Sequence, residues 1–513
     1  MLVMDRNKRT FINVFAQYVR TVINICLSLY TTRLVTQALG ESDYGLFMVV
    51  AGVVTMLAFL TNAMVVTTQR HLSFFYGKNN LRKVKSIFSN TLFLHITLGV
   101  LLVLLFWAMM PFLINEKDGF LNIKPDRIEV AKYVFLLAVA NMFISFLTAP
   151  FRGLFIAREN IVYISVVDVC DGILKVILVL FMLVSDADKL LLYAFILLCV
   201  QLLNLLAFSL FAKYKYEECS LLPKIKDVKG GEIKRIFSFA GWTIYSTACI
   251  IFRTQGIAVL LNRFFGTVIN FAYGIASQVA GSAAFLAQAI LNAMSPRVIK
   301  AEGAGDREGM LRLAGVTSKF CFLLLSMFAI PLCFEMMTIL SLWLGEERAS
   351  ANTVFFCQCV VIAAMCDQLT IGLGIANQAI GRIRNYSLLV NTTKVLTLPL
   401  VWMALTLEMN VKVVMYIYII MECVCLILRL FYLKATTTLS IAAYSKQVFL
   451  RVMPPTLALV VVCFLCTILP HTSYRFVITF TVAVIVDVIV IYFASLDSSE
   501  KQIVINIFKK LKK

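Results

Sequence analysis

Arg20 stands near the middle of an apolar stretch, 10–39, that is long enough to cross a bilayer. Wound as a helix, the stretch puts Asn13, Gln17, Arg20, Asn24, Ser28 and Thr31 on one face, while Val14, Ile23, Ile25, Leu27 and Leu29 cover the rest. A charge at mid-bilayer costs about 2.5–3.5 kcal/mol on insertion scales, so this face must turn toward protein or a wet cavity. It reads either as a structural polar seam or as the wall of a substrate path. On the stretch 235–262, Trp242, Ser246, Cys249, Arg253 and Gly256 keep helical spacing, so Arg253 shares a face with an aromatic ring and small polar groups. Similar stripes recur as Thr55, Asn62 and Gln69, as Asn141, Ser145, Thr148 and Arg152, and as Gln278, Ser282, Gln288 and Asn292. A further stripe is Asp367, Thr370, Gly374 and Asn377. Amides and hydroxyls both donate and accept, as sugar hydroxyls require. Interhelical hydrogen bonding is the alternative for any one of them.

Carboxylates inside the apolar runs carry a second chemistry. Asp168, Asp171 and Lys175 share one helical face, with Asp171 and Lys175 four apart in the order that favours pairing. That pair leaves Asp168 over, and an extra intramembrane carboxylate suits a coupling proton or sodium ion. Asp367 and Glu422 compete for the same role, and Lys394 adds positive charge in the second half. No cofactor is expected beyond such an ion. His71, His95 and His471 lie far apart and form no ligand set for a metal. The fourteen cysteines are scattered, and Cys463 and Cys466, despite redox spacing, lie inside an apolar run where packing is their ordinary use. The longest expected outside loop, 114–129, has no histidine, serine or cysteine, so nothing there resembles the nucleophile–base pair of a polymerase or acyltransferase. An enzyme is not expected.

The elements that position these groups follow from composition. Hydrophobic residues make up 61% of the 513 and charged ones only 15%, which describes an integral membrane protein. The net charge of +19 comes with no basic face interleaved with aromatics, which speaks against nucleic acid as a partner. Apolar stretches long enough to span recur about fourteen times. They fall near 10–39, 44–69, 88–113, 130–156, 161–185, 189–212, 235–262, 268–294, 313–341, 351–380, 386–407, 411–433, 448–469 and 475–495. The expected fold class is all-α and polytopic. Lys and Arg concentrate in Arg70–Lys85, Lys213–Arg235, Arg297–Arg312 and Arg429–Arg451, whereas the opposite loops are short and acidic, such as Gly40–Asp43, Ser185–Asp188 and Gly345–Glu347. The positive-inside rule then places both termini in the cytoplasm. The first apolar stretch is too long for a cleavable signal peptide and is interrupted by Arg20. The tail 498–513 reads as a basic amphipathic piece on the anionic lipids of the inner leaflet, or as a plain positive-inside tail.

A faint internal repeat runs through the loops. Phe15-Ala16, Gly40, Tyr44-Gly45, Thr68-Gln-Arg70 and Gly77 are matched by Phe239-Ala240, Gly266, Tyr273-Gly274, Ser295-Pro-Arg297 and Gly305. Six spans separate the copies, so the halves are expected as parallel repeats. The expected organisation is an N-terminal lobe at 1–212, a linker at 213–234, a C-terminal lobe at 235–433, two additional spans at 448–495 and the tail. This plan of six, six and two, with the loop Met294–Asp306, resembles the multidrug/oligosaccharidyl-lipid/polysaccharide (MOP) exporter superfamily, and within it the Wzx-type polysaccharide flippases. The resemblance implies paired helical bundles that alternate access in a bacterial inner membrane. The implied cargo is an undecaprenyl-pyrophosphate-linked oligosaccharide, with a polysaccharide polymerase and a chain-length regulator as further partners. Related flippases of peptidoglycan precursors hold the pyrophosphate with arginines on spans one and seven, places similar to those of Arg20 and Arg253. Lys394 would add to this cationic site. The sugars would fall to Asn13, Gln17, Asn24, Asn62, Asn141, Trp242, Ser246, Gln278 and Asn292. A cation-coupled drug exporter of the same superfamily is the alternative, though cationic drugs call for acidic, aromatic cavities.

Overall fold

The computed structural model describes residues 6–55, 58–114, 123, 125–223, 230–344, 346, 350–468, 474–498 and 500–502. The regular elements among them are helical, and the chain divides into two compact units, Arg9–Ile244 and Tyr245–Lys513, the latter with residues 1–8. The additional spans therefore belong to the second unit. Most of the basic tail, 503–513, and part of the linker, 224–229, lie outside the described residues.

The first unit is built from α1 (Arg6–Thr55), α2 (Ala58–Gly77), α3 (Leu81–Leu113), α4 (Ile128–Ala157), α5 (Ile161–Leu183) and α6 (Lys189–Lys215). As a straight rod, α1 would be about 75 Å long, more than twice the hydrocarbon thickness of a bilayer. Its contacts show that it doubles back instead. Asn13 donates to the Glu159 carbonyl at the α4–α5 turn, Arg20 reaches Asp168 in α5, and Asp43 pairs with Arg127 at the start of α4. Beyond that point the path returns along α6 and α4. Phe47 packs edge-on to Tyr193, Thr61 lines a cavity with Asn141, and Tyr76 donates to Glu218 past the end of α6. The reversal falls where Gly40 and Tyr44-Gly45 were expected to separate spans one and two. Inside, the unit has one continuous apolar cluster in which Phe88, Phe135, Phe146, Phe155 and Phe208 are fully buried.

The second unit continues from α7 (Gly230–Gly303) through α8 (Arg307–Phe334), α9 (Met336–Leu344), α10 (Ala351–Gln368) and α11 (Ile371–Ile380). There follow α12 (Ile383–Tyr386), a π-helical segment Ser387–Asn391, α13 (Thr392–Val395), α14 (Thr397–Thr406), α15 (Lys412–Thr436) and α16 (Ile441–Gln447). The chain ends on α17 (Phe449–Thr467), α18 (Arg475–Val490) and a second π-helical segment, Ile491–Ser495. Spans nine and ten are broken, at Glu335 four residues after Pro331 and at Leu369–Thr370 just ahead of Gly372 and Gly374. Gly372 permits a close backbone approach: a Cβ there would come within 2.0 Å of the Ala314 carbonyl on α8.

Ten described helices are long and apolar enough to cross a membrane, or eleven if the bent pair Ala272–Ser282 and Ala287–Gly303 is one span. The remaining expected spans are the two arms formed by α1 and α2, and α5, which carries three charges in 23 residues. Large apolar side chains such as Trp107, Phe181 and Phe464 stand exposed, as they do when lipid rather than water covers them.

Candidate functional site

Each unit holds a cluster of charged side chains within its spans. In the first unit the centre is Asp168. Arg20 Nη1 donates to its Oδ2 at 2.8 Å, and Arg152 Nη2 on α4 donates to Oδ1 and Oδ2 at 2.8 and 2.7 Å. The Arg152 guanidinium also lies over the Phe208 ring, 5.3 Å from its centre. One helical turn along α5, Asp171 and Lys175 form their own pair at 2.8 Å, as their spacing predicts. The expectation that Asp168 is left over does not hold, because its partners come from α1 and α4. Two guanidiniums share one carboxylate, so this triad carries one positive charge in excess.

In the second unit a longer chain of charges joins four helices. Arg253 on α7 donates to Glu422 on α15, and its guanidinium lies 4.4 Å from the centre of the Tyr418 ring. Lys394 on α13 donates to Glu422 at 3.3 Å and to Asp367 at 3.2 Å. Arg429 completes the chain by donating to the Asp367 carboxylate at 2.7 Å. Arg429 also reaches the main-chain carbonyl of Asp367 at 3.3 Å and the Thr370 hydroxyl at 3.4 Å. At the break between α10 and α11 the Asp367 carbonyl thus accepts from Arg429 as well as from the Thr370 amide at 3.3 Å. Tyr444 on α16 donates to the Leu369 carbonyl at 2.8 Å. Three cations face two carboxylates, so this cluster too carries one positive charge in excess. Arg253, Lys394, Glu422 and Arg429 are buried.

The polar stripes divide into two kinds. Asn13 and Gln17 are buried, and Asn13 closes the α4–α5 turn by donating to the carbonyl of Glu159, a residue held at a φ of 58°. Ser246 joins α7 to the π segment, bonding Ser387 at 2.8 Å and accepting from Asn391 at 2.8 Å. Asn292 accepts from Gln288 at 2.9 Å. These are the interhelical and intrahelical bonds that a structural seam makes. Asn24 and Asn141 differ, since the buried side-chain oxygen of each accepts no hydrogen bond among the described residues. Asn141 lines a 140 Å³ cavity of the first unit with Thr61, Ser145 and Leu197. Gln278 and Ser282 line a 440 Å³ cavity of the second unit beside Phe328 and Trp343. Asn62 is exposed and Trp242 half-buried.

Several buried charges escaped the reading of the sequence. Glu335, in the break between α8 and α9, accepts from Arg475 on α18 at 2.9 and 3.0 Å and from Thr479 at 2.9 Å. Lys319 on α8 donates to Glu500 at 2.6 Å. A lysine inside span nine and an arginine opening span fourteen were the available signals. His71 and His95 are buried against the Thr67 and Thr91 carbonyls of their own helices.

The fold has solved counterparts. MATE in the bent conformation matches with a TM-score of 0.71 at 13% identity, covering 86% of this chain and 97% of that one. MATE in the straight conformation matches with a TM-score of 0.66 at 13% identity, covering 86% and 98%. A MOP superfamily transporter from Pyrococcus furiosus Vc1, described as having a binding pocket of reverse polarity that suggests a different function, matches with a TM-score of 0.69 at 12% identity, covering 84% and 96%. No curated protein matches in sequence. The model of the polysaccharide biosynthesis protein family matches residues 8–300, more than half of the chain. With the fold and that match together, the chain belongs to the polysaccharide biosynthesis protein family, in the MOP superfamily of membrane exporters.

Proposed function

We propose that the protein is a flippase that carries an undecaprenyl-pyrophosphate-linked oligosaccharide from the inner to the outer leaflet of a bacterial inner membrane by alternating access. One observation carries the reading: in each unit the intramembrane ion cluster holds one more cation than carboxylate. Excess positive charge in a medium of low dielectric attracts an anion and repels the cations that multidrug exporters move. Guanidiniums stay charged at any physiological pH and present a planar fork of donors to phosphate oxygens. In this reading Arg20 with Arg152 in the first unit, and separately Arg253 with Lys394 in the second, are the groups that suit the phosphate oxygens common to all such cargo. The carboxylates hold the cations in place between cargoes. The amides with unused acceptors, Asn24 and Asn141, together with Gln278 and Ser282, offer contacts to sugar. The family's description points the same way.

The test is surface polysaccharide export in a strain that depends on this protein. Arg20→Gln with Arg253→Gln should abolish export at unchanged membrane abundance. If Arg20 only latches α1 to α5, the exchanged pair Arg20→Asp with Asp168→Arg should restore activity, which would defeat the pyrophosphate role of Arg20. Wild-type export by the double glutamine variant would defeat it too, and drug resistance conferred by the protein would favour the multidrug alternative.

A further inference from the structure

Asp487 sits on α18 (Arg475–Val490), three turns beyond Arg475, and Thr479 and Thr481 are the other polar side chains of that helix. It is fully buried, and neither carboxyl oxygen has a hydrogen-bond partner among the described residues. The packing one turn to either side along α18 is apolar. One turn earlier, Ala483 packs in a cluster with Ile330 of α8 and with Leu459 and Cys463 of α17. One turn later, Ile491 packs on Phe322, Leu323 and Val452.

The charged groups on the neighbouring elements are engaged elsewhere. On α8, Lys319 holds Glu500 and Arg307 holds Glu302, while Glu308 and Arg312 lie in the first two turns. Glu335, in the break beyond α8, holds Arg475, the one other charged side chain on α18. On α17, Arg451 donates to the Ala494 carbonyl at 3.0 Å. Ser326 and Thr456 bond carbonyls of their own helices. The remaining titratable groups on these elements are Cys321, Cys333, Cys463, Cys466 and Tyr492. A charge on Asp487 would have no counter-ion here, and an unbalanced charge in such a site costs far more than the fold can supply. The carboxylates of the two ion clusters, Asp168, Asp171, Asp367 and Glu422, are by contrast all neutralised by arginine or lysine.

We propose that Asp487 carries a proton through the transport cycle, which makes the α17–α18 pair the coupling element of the exporter. This rests on the chain being a transporter and not on the identity of its cargo. On loading, a proton from water forms the acid O–H bond as the seam between α18, α8 and α17 closes. When that seam admits water, the O–H bond breaks, the electron pair stays on the carboxylate and the proton passes to water. Spans that the two-lobe plan treats as additional would then hold the driving ion, and the paired carboxylates of the lobes would not.

The test uses the full-length protein. Infrared difference spectra of purified protein between about pH 5 and pH 9 should show a carboxylic-acid carbonyl band that comes and goes, and that is missing from Asp487→Asn. Polysaccharide export by Asp487→Asn should fall at least about tenfold at undiminished abundance, and Asp487→Glu should keep both band and export. In the wild type, a hydrophobic carbodiimide, which adds to protonated carboxyls, should modify the peptide holding Asp487 and block export. An unchanged band in Asp487→Asn, no carbodiimide adduct at Asp487, or wild-type export by Asp487→Asn in a strain that loses export without the protein, would each overturn the proposal. If the band titrates as described while a strain lacking the protein exports polysaccharide normally, the proton site stands and the cargo reading fails.

Discussion

Arg429 and Arg152 each donate to a carboxylate inside the membrane, yet they should not contribute equally. The Arg429 side chain is 7% exposed and binds one carboxylate, one main-chain carbonyl and one hydroxyl, whereas that of Arg152 is 33% exposed. Removing Arg429 takes a charge-assisted hydrogen bond from Asp367, which keeps Lys394, and costs about 1.5–3 kcal/mol. We expect that loss from Arg429→Met, read as thermal or denaturant unfolding of purified protein. Arg152→Gln, at a wetter site where Asp168 keeps Arg20, should cost about 1 kcal/mol or less. Equal losses would mean that the second cluster is as wet as the first. At this scale the sequence was partly legible. Asp171 and Lys175 lie four apart, so helical geometry alone joins them. The partners of Asp168 stand 148 and 16 residues away, and no local periodicity announces them. Asp487 was visible as a lone acid in an apolar run, but only packing shows that it has no partner.

Among the elements, capping is done by the loops themselves. Asp188 at the start of α6 accepts from the amides of Leu190 and Leu191 at 3.0 Å and from Arg127, which also binds Asp43. Burial opposes a charge on Asp188, but the two amides and the guanidinium outweigh it and hold its carboxyl below the usual aspartate range. A carboxyl depressed in the folded state contributes stability above its unfolded pKa and loses it as pH falls through the folded one. Asp188→Ala should therefore cost about 1–2 kcal/mol near neutral pH, and much less in acid below the aspartate range, where the wild type has lost the same contribution. A pH-independent difference would contradict the capping account. The apolar runs made most helices legible, and Pro331 marked one break. The π-helical segments were not foreseen, because an inserted residue in a helix leaves no compositional trace.

For the whole molecule, the loop charges predict how the chain is ordered across the membrane. Cysteines placed singly at Lys78 and Arg307 should be shielded from an impermeant reagent in intact cells, and those at Asp43 and Asp186 should react. Labelling at 78 or 307 would reverse the orientation. The division into two units lay beyond the sequence in one respect: its boundary, between Ile244 and Tyr245, falls inside the helical run of α7 and not in the basic linker. A helix continuing through a boundary gives no break in periodicity to read.

The long separation of the charged partners bears on how the protein is made. Arg20 and Arg152 leave the ribosome before Asp168, so when the charged span α5 reaches the translocon its counter-charges are already in the membrane. Arg253 has no such provision, since Glu422 follows 169 residues later. At ordinary elongation rates that interval is roughly ten to thirty seconds. Through it the arginine must wait in the translocon, beside a chaperone or drawn toward the lipid headgroups. The second half of the chain should then be the vulnerable one during biogenesis, and a ribosome stalled between 253 and 422 should leave its nascent chain open to membrane quality-control proteases.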